Sequence, residues 1–352
     1  MERRNNQCVG GKMDDKTKIL LAAITVGVIA AGASLLLTEE KKPQNDVTIR
    51  YLSSSAVVEP YEFARELGYL GDINITRLGS NTGGPEDIIS VATGSTDVGH
   101  AAWVAIINAK ARGAKIKGIA APMGNSPESW YEGTPYLSKW LVLENSSIRS
   151  AKDLAGKKIA VHTLGGHAEY VTREYLARNN MSKDDVQLIT MSHHEEVLRQ
   201  GQVDVVAPVG AQIDMMEANG GVRVLFTDYD IIGNQTHCGL FMSEKFIREN
   251  PETVRRFVEA NAKAADWARE HPEEAKELAA KIMKAKGGNA EIAKYWKGFG
   301  IREHALLVDS DVQFWIDWLV KDGKLKGNQF KPADIYTNEF NPYYRKTYYP
   351  AY

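Results

Sequence analysis

The sequence has no excess of basic residues and few cysteines, and each shortage excludes a class of protein. Its 352 residues include 43 Lys and Arg against 45 Asp and Glu, which gives a formal net charge of −2. Nucleic acid is excluded as the main partner, because no basic excess is available to neutralise phosphates. The two cysteines, Cys8 and Cys238, are too few for a disulfide framework or a cysteine-built structural zinc site.

Familiar catalytic motifs are also missing. The chain has no G-x-S-x-G elbow, and its glycine-rich stretch Gly79–Gly84 lacks the lysine of a phosphate-binding P-loop. Its eight histidines form no H-x-x-H or H-E-x-x-H pair of the kind that holds zinc on a helix. We therefore expect a protein that is not an enzyme, with no catalytic residues, no cofactor and no metal.

What the sequence does contain is one long uncharged apolar segment, Ile19–Leu37. As a helix it would span about 28 Å, close to the hydrocarbon thickness of a membrane. The region 1–18 before it carries five basic and three acidic side chains, and such positive flanks stay cytoplasmic. The pattern predicts a single-pass anchor or a cleaved signal helix at 19–37 and a linker at 38–46. Everything from about Val47 is then extracytoplasmic; both processing alternatives, and a start at Met13, stay open.

From Val47 onward, short strand patterns alternate with helical patterns. Such alternation predicts βαβ units and parallel sheets. Two successive series of this kind predict an α/β protein with two lobes. The first part of lobe 1 is expected at 47–138, lobe 2 at 139–240, and the completion of lobe 1 with the C-terminal helices at 241–352.

Several motifs in this part of the chain occur in a recognisable order. They are Pro60–Gly71, Ile88–Val98 (IISVATGSTDV), Ser150–Ala160 (SAKDLAGKKIA), Val197–Val205 (VLRQGQVDV), Pro251–Ala265 and Gly323–Phe340. The ordered set, covering about residues 47 to 345, resembles the substrate-binding proteins of ABC importers of the nitrate/sulfonate/taurine type. It also resembles their thiamine-pyrimidine synthase-like relatives.

The resemblance implies a type II periplasmic-binding-protein fold, in which two α/β lobes joined by two crossover strands clamp a ligand. Trp140–Leu143 and Gly239–Met242 are the candidate crossovers. It further implies a monomer that delivers a small anionic solute to a permease and its ATPase. A sulfonate such as taurine is the first candidate, with nitrate or bicarbonate possible. Two alternatives stay open: an enzyme of thiamine-pyrimidine or pyridoxal-like metabolism, and a scaffold or sensor that keeps the fold without transport.

Ligands of open α/β sheets bind beyond the carboxyl ends of the strands. This rule selects hydroxyls, glycine turns, histidines and one tryptophan as candidate ligand-binding residues. They are Ser53, Ser54, Ser55, Ser80, Asn81, Thr82, Gly83, His100, Trp103, His162, Thr163, Gly165, Gly166, His167, Pro208, Thr236 and His237. The glycine turns precede helices, whose N-termini attract anions, although such glycines can also serve only to make tight turns.

Three further groups admit two interpretations each. The histidines at strand ends could donate hydrogen bonds to a ligand, or they could coordinate a metal ion. Trp130 and Tyr131, in a loop rich in Gly, Pro and Ser, could cover the cleft, while other aromatic residues serve as packing. Asp228 and Asp230 follow a strand and could bind an ammonium group or cap a turn.

Overall fold

Three sheets, of two, three and five strands, organise the described part of the chain, residues 47–81, 83–126 and 136–344 of a computed structural model. The predicted anchor Ile19–Leu37 and the linker at 38–46 lie outside the described residues. So do Thr82 and the loop aromatics Trp130 and Tyr131. Within the described ranges, no helix combines the length and the apolar character needed to cross a membrane.

The first half of the described chain builds one α/β region. Its strands are β1 (Thr48–Leu52), β2 (Asn74–Gly79), β3 (Val98–Ala102) and β4 (Ile116–Ala120), and its helices are α1 (Pro60–Glu66), α2 (Gly84–Thr93) and α3 (Trp103–Ala111). β1 pairs with β2 in parallel. Pro60 and Pro85 each stand in the first turn of a helix, where a missing N–H costs nothing.

The middle of the chain builds a second α/β region around a five-stranded sheet in the order β7-β6-β8-β5-β9. Its strands are β5 (Lys139–Leu143), β6 (Lys158–Val161), β7 (Gln187–Thr190), β8 (Val205–Ala207) and β9 (Val222–Thr227). Its helices are α4 (His167–Arg178), α5 (His194–Arg199), α6 (Ala211–Ala218) and α7 (Asp228–Ile232). β6 is parallel to both of its neighbours, whereas β5 runs antiparallel to β8 and β9.

The chain then returns to the first region through β10 (Cys238–Ser243). β10 lies between β3 and β4 and is antiparallel to both, which gives the order β3-β10-β4. The candidate crossover Trp140–Leu143 therefore falls within β5 of the five-stranded sheet, and Gly239–Met242 falls within β10 of the three-stranded sheet. Among the described strands, the order along the chain moves from the three-stranded to the five-stranded sheet between β4 and β5 and returns between β9 and β10.

Helices fill most of the rest of the described chain. They are α8 (Glu244–Glu249), α9 (Pro251–Glu270), α10 (Pro272–Ala285), α11 (Asp309–Lys321) and α12 (Pro332–Ile335). The long helix α9 packs on α1, and α11 packs on α3. Buried side chains such as Phe257 and Trp315 extend one apolar core from these helices to the first sheet. The mixed α/β class predicted from the alternation of patterns is confirmed.

One predicted boundary matters for the site. The sequence predicts that β3 ends at Gly99 and that His100 follows it, but β3 continues to Ala102 and α3 begins at Trp103. His100 is therefore fixed inside a strand, opposite Leu240 of β10. The strand extends because β10 supplies a pairing partner from far along the sequence, which local patterns do not reveal.

Candidate functional site

A cavity of about 190 Å³ lies between side chains of the two α/β regions. Nine of the predicted ligand-binding residues line it: Ser53, Ser54, Asn81, Gly83, His100, His162, Thr163, Gly166 and His167. The first five come from the first region and the last four from the second. Residues that were selected because they follow strand ends in the two α/β regions thus line the same cavity.

The two predicted glycine turns face each other across this cavity. A Cβ atom placed on Gly83 would lie 3.6 Å from the side chain of Thr163 and 3.7 Å from the imidazole of His162. Gly83 and Gly166 are the N-cap residues of α2 and α4, and neither cap carries a side chain that could satisfy the helix N–H groups. A third helix, α6, begins beside the cavity after Gly210. These helix starts direct backbone N–H groups and positive partial charge toward the same space.

A buried carboxylate that the sequence-based prediction missed also lines the cavity. Glu59 Oε1 lies 2.8 Å from Nδ1 of His100, and the side chain of Glu59 is only 5% exposed. Its second oxygen, Oε2, has no hydrogen-bond partner among the described residues. Glu59 stands directly before Pro60 as the N-cap of α1, so its only local signal is that of an ordinary helix start.

His100 also interacts with the thiol of Cys238, which lines the same wall. The strand register makes the two residues diagonal neighbours on one face, because Ala102 pairs with Cys238 and His100 with Leu240. Burial lowers the pKa of His100, but Glu59 and Cys238 raise it by more, so the net pKa lies well above the ordinary value. The raised pKa favours the protonated imidazole.

Other charged side chains of the cavity wall are paired as well. Asp87 accepts hydrogen bonds from the backbone N–H of His100 at 3.0 Å and from the Asn81 amide at 2.7 Å, and burial raises its pKa to about 6. Lys297 Nζ lies 2.8 Å from Asp214 Oδ1.

The rest of the wall is mainly apolar. Residues that sequence reasoning missed here include Val57, Met123, Leu137, Met283, Trp296 and Phe299. Trp296 and Phe299 come from the C-terminal third of the chain, which returns to the cavity only through tertiary packing. The cavity thus offers a few paired charges and three helix starts within an apolar enclosure.

The other predicted residues do not line the cavity. They are Ser55, Ser80, Trp103, Gly165, Pro208, Thr236 and His237, while Thr82 lies outside the described residues. Trp103 is fully buried, its ring fills the space beside Gly118 and Gly239, and its indole N–H donates to the Thr236 carbonyl at 2.8 Å. The structure thus places Trp103 in the core beside the cavity, because the two glycines leave a slot that the ring occupies.

His237 is buried behind the wall rather than on it. Because β10 begins one residue later, side-chain alternation gives the cavity Cys238 and turns His237 to the opposite face. There His237 meets His167 and Asp228. Asp230 has the turn-capping role considered for it, since its carboxylate accepts from the N–H and the hydroxyl of Thr227, both at 2.8 Å.

A family comparison covers most of this structure. Residues 57–275, more than half of the chain, match the protein family described as NMT1/THI5 like. This match includes both glycine turns, Glu59 and the whole second α/β region. The resemblance predicted from the ordered motifs is confirmed.

The similar curated sequences include a binding protein and an enzyme. A candidate binding protein of Brucella abortus is 28% identical over 269 residues, which are 74% of this chain and 79% of the relative. A 4-amino-5-hydroxymethyl-2-methylpyrimidine phosphate synthase of Candida albicans is 26% identical over 231 residues, 61% of this chain and 65% of the relative.

Solved structures share the fold. The periplasmic aliphatic sulphonate binding protein SsuA of Escherichia coli superposes with a TM-score of 0.60 at 21% identity, covering 79% of this chain and 87% of that one. The periplasmic nitrate-binding protein NrtA of Synechocystis gives a TM-score of 0.65 at 13% identity, covering 84% and 87%. At these identities the likeness establishes the architecture of periplasmic binding proteins and leaves the ligand to the residues of the cavity.

Proposed function

We propose a solute-binding function for this chain, which belongs to the NMT1/THI5-like family. It would act as the extracytoplasmic component of an ABC importer, hold an organic anion in the cavity, and present the closed complex to a permease and its ATPase. The observation that carries this proposal is the cavity between the two α/β regions, where two glycine turns face each other within van der Waals reach. Its binding-protein relative and the shared fold support the same function.

The two regions would be the two lobes of a clamp. Lobe 1 would comprise 47–138 and 241–352, and lobe 2 would comprise 139–240, except that residues 238–240 of β10 pair within lobe 1. In the part of the chain that the structure describes, the strand order changes between the three-stranded and five-stranded sheets twice, before β5 and before β10, so relative movement would need few backbone changes. A ligand that contacts both lobes shifts the population toward the closed form by its differential affinity for that form.

The size and lining of the cavity favour an organic anion over an inorganic one. A dry cavity of about 150 Å³ holds benzene, so about 190 Å³ exceeds what nitrate or bicarbonate fills. Much of the wall is apolar, with Leu137, Met283 and Phe299 among its members. We therefore place a sulfonate with an organic body first, and nitrate or bicarbonate after it.

The polar parts of the cavity suggest how such a ligand would lie. Its anionic end would meet the N-termini of α2 and α4, where glycines let the backbone approach closely. The unpartnered Oε2 of Glu59 would accept a hydrogen bond from a donor on the same ligand, such as the ammonium of taurine. An aminosulfonate satisfies both groups at once.

The N-terminal segment would hold this binding unit at the membrane or direct its export. Ile19–Leu37 would serve as a single-pass anchor, or as a signal helix that is cut. Both routes place residues from Val47 onward outside the cytoplasmic membrane, where an importer collects its solute.

The test is a thermal-shift and calorimetric comparison of ligands on the purified protein. The panel contains taurine, alkanesulfonates of increasing chain length, nitrate and bicarbonate. A ligand at one hundred times its Kd stabilises the fold by about 2.7 kcal/mol. Binding of a sulfonate with a longer body, and of neither inorganic anion, is expected. Binding of nitrate or bicarbonate alone would reject the organic-anion proposal.

A matched pair of ligands tests the role of Glu59. Taurine and ethanesulfonate differ by the amino group, and Glu59→Gln removes the charge that would receive it. The variant should bind taurine more weakly while its affinity for ethanesulfonate stays the same. An equal loss for both ligands would mean that Glu59 shapes the cavity without contacting the amino group.

An enzyme of pyrimidine or pyridoxal-like metabolism is the second candidate. Lys297, whose side chain lines the cavity, supplies a primary amine of the type that a pyridoxal aldehyde condenses with. Pyridoxal phosphate added to the protein would then develop the visible absorbance of an imine, and Lys297→Met would abolish it. If no such absorbance develops, the proposal of an enzyme that uses a pyridoxal-like compound is rejected.

A further inference from the structure

We propose that His167, Asp228 and His237 form a binding site for a divalent first-row transition-metal ion directly behind the wall of the cavity, which His167 lines. Their three ligand atoms lie within 4.8 Å of one another, and all three residues are buried. The site is independent of the proposed solute-binding function, and its test does not require a solute.

Three separate elements bring these side chains together. His167 is the first residue of α4, Asp228 is the first residue of α7, and His237 directly precedes β10. Their backbones are fixed: the His237 carbonyl accepts from the Trp103 N–H at 3.0 Å, and the Asp228 N–H donates to the Ser138 carbonyl at 3.1 Å. The cluster is thus held by two helix starts and one strand start.

The distances fit a shared ion. His167 Nε2 lies 3.0 Å and His237 Nε2 lies 3.7 Å from the same carboxylate oxygen, Oδ2 of Asp228. Tetrahedral ligands about 2.1 Å from a zinc ion lie about 3.4 Å apart. Both imidazoles therefore face the carboxylate at separations that one ion can bridge with small side-chain adjustments.

The hydrogen bonding of the cluster is incomplete without such an ion. His167 and Asp228 form a hydrogen bond with each other, but His237 has no such bond with either of them. His237 is fully buried, and neither of its ring nitrogens has a hydrogen-bond partner among the described residues. A buried polar group without a partner costs free energy. A metal ion would give the Nε2 atom of His237, which faces Asp228, a partner.

Charged and titratable side chains surround His237. Burial, together with the nearby His167 and Arg302, keeps the pKa of His237 well below the ordinary value. Arg302 itself is paired with Asp311, which compensates its charge.

Asp228 is oriented as metal-binding carboxylates usually are. Both of its oxygens lie 3.2 Å from the backbone N–H of Leu137, and Oδ2 lies at the same distance from that of Ser138. Such outer contacts fix a ligating carboxylate and are typical of metal sites. Its side chain is fully buried, so these contacts also compensate its removal from water.

The donor set indicates the kind of ion and its place. Two imidazoles and one carboxylate suit zinc or ferrous iron and leave further coordination positions for water or a bound anion. His167 lines the cavity, as do its neighbours Gly166 and Ala168. An ion here would add positive charge at the start of α4, next to the solute space.

The experiment is a metal titration of chelator-treated, dialysed protein, with zinc followed by calorimetry and cobalt by its visible absorption. We expect one equivalent to bind, with a cobalt spectrum typical of four or five nitrogen and oxygen ligands. His237→Gln and Asp228→Asn should each lose that equivalent. His194→Gln is the matched control, because His194 is another buried imidazole without a hydrogen-bond partner among the described residues.

Two results would overturn the site. One is wild-type protein that binds neither ion, and the other is unchanged stoichiometry in variants shown to be folded by circular dichroism. If His237→Gln fails to fold, His167→Gln replaces a ligand at the cavity wall and must lose the equivalent instead. The cobalt spectrum of the wild type needs no variant and tests the donor set directly.

Discussion

Glu59 and His100 form an ion pair of 2.8 Å in the cavity wall, and the imidazole also interacts with the Cys238 thiol. Burial alone would lower the pKa of His100, but its two partners raise the pKa well above 6.5. The folded state therefore binds this proton more tightly than the unfolded state. The resulting stabilisation is fully present below about pH 6.5 and is lost as pH rises through the raised pKa.

Glu59→Gln should lower the free energy of unfolding by about 2 kcal/mol at mildly acidic pH, because the charge-assisted contact with His100 is weakened. The deficit should shrink at alkaline pH, where His100 is neutral in both proteins. Denaturant unfolding at several pH values measures it. Glu66→Gln, at the other end of α1, is the control and should show no comparable dependence. An equal deficit at every pH would mean that Glu59 acts only by capping α1.

Asp87 provides a second pH-dependent quantity. Burial raises its pKa from 3.8 to about 6, so the folded state holds its proton more tightly than the unfolded chain. Stability from this group is present below the unfolded value of 3.8 and is lost as pH rises through about 6. Relative to Asp87→Asn, the wild type should lose about 3 kcal/mol across that window. The difference in the free energy of unfolding between the wild type and Asp87→Asn is measured by denaturant unfolding at several pH values. A difference that stays constant across this pH range would contradict the raised pKa of Asp87.

The glycine turn before α4 can be tested by adding a side chain. A Cβ on Gly166 would lie 2.7 Å from the methyl carbon of Thr163, which must move, and Thr163 lines the cavity. Gly166→Val should weaken solute binding about tenfold or more, a loss of about 1.4 kcal/mol, with a smaller effect on Tm. Gly327→Val is the control, since a Cβ there meets nothing within 4 Å. Unchanged affinity of Gly166→Val would remove this turn from the binding site.

Local sequence rules identify the parts of the site that lie at the junction of one strand and the next helix. Gly83 and Gly166 are found in this way, because a strand, a glycine turn and a helix start are visible within about a dozen residues. The α/β alternation is predicted for the same reason. Three consecutive serines after β1 also include two that line the cavity, Ser53 and Ser54.

Residues whose place depends on distant pairing are harder to predict. The sequence predicts His237 as a ligand-binding residue, whereas the side chains of β10 that face the cavity depend on its pairing with the distant β3, and Cys238 lines the cavity while His237 does not. Lys297 and Phe299 reach the cavity from the C-terminal third, with no local signal of a site. Asp228 offered two local interpretations, and only tertiary contacts show it between two histidines.

The apolar wall leads to a prediction about ligand length. Ala105 of α3 lines the cavity and is 9% exposed, so a larger side chain there would take up solute space. Ala105→Leu should reduce affinity for long alkanesulfonates more than for taurine, because each buried methylene contributes about 0.8 kcal/mol that the variant would forfeit. Calorimetry with a series of chain lengths measures the change. Ala109→Leu, one turn further along α3 and outside the cavity lining, is the control. A uniform loss across the series would show that the organic body lies elsewhere.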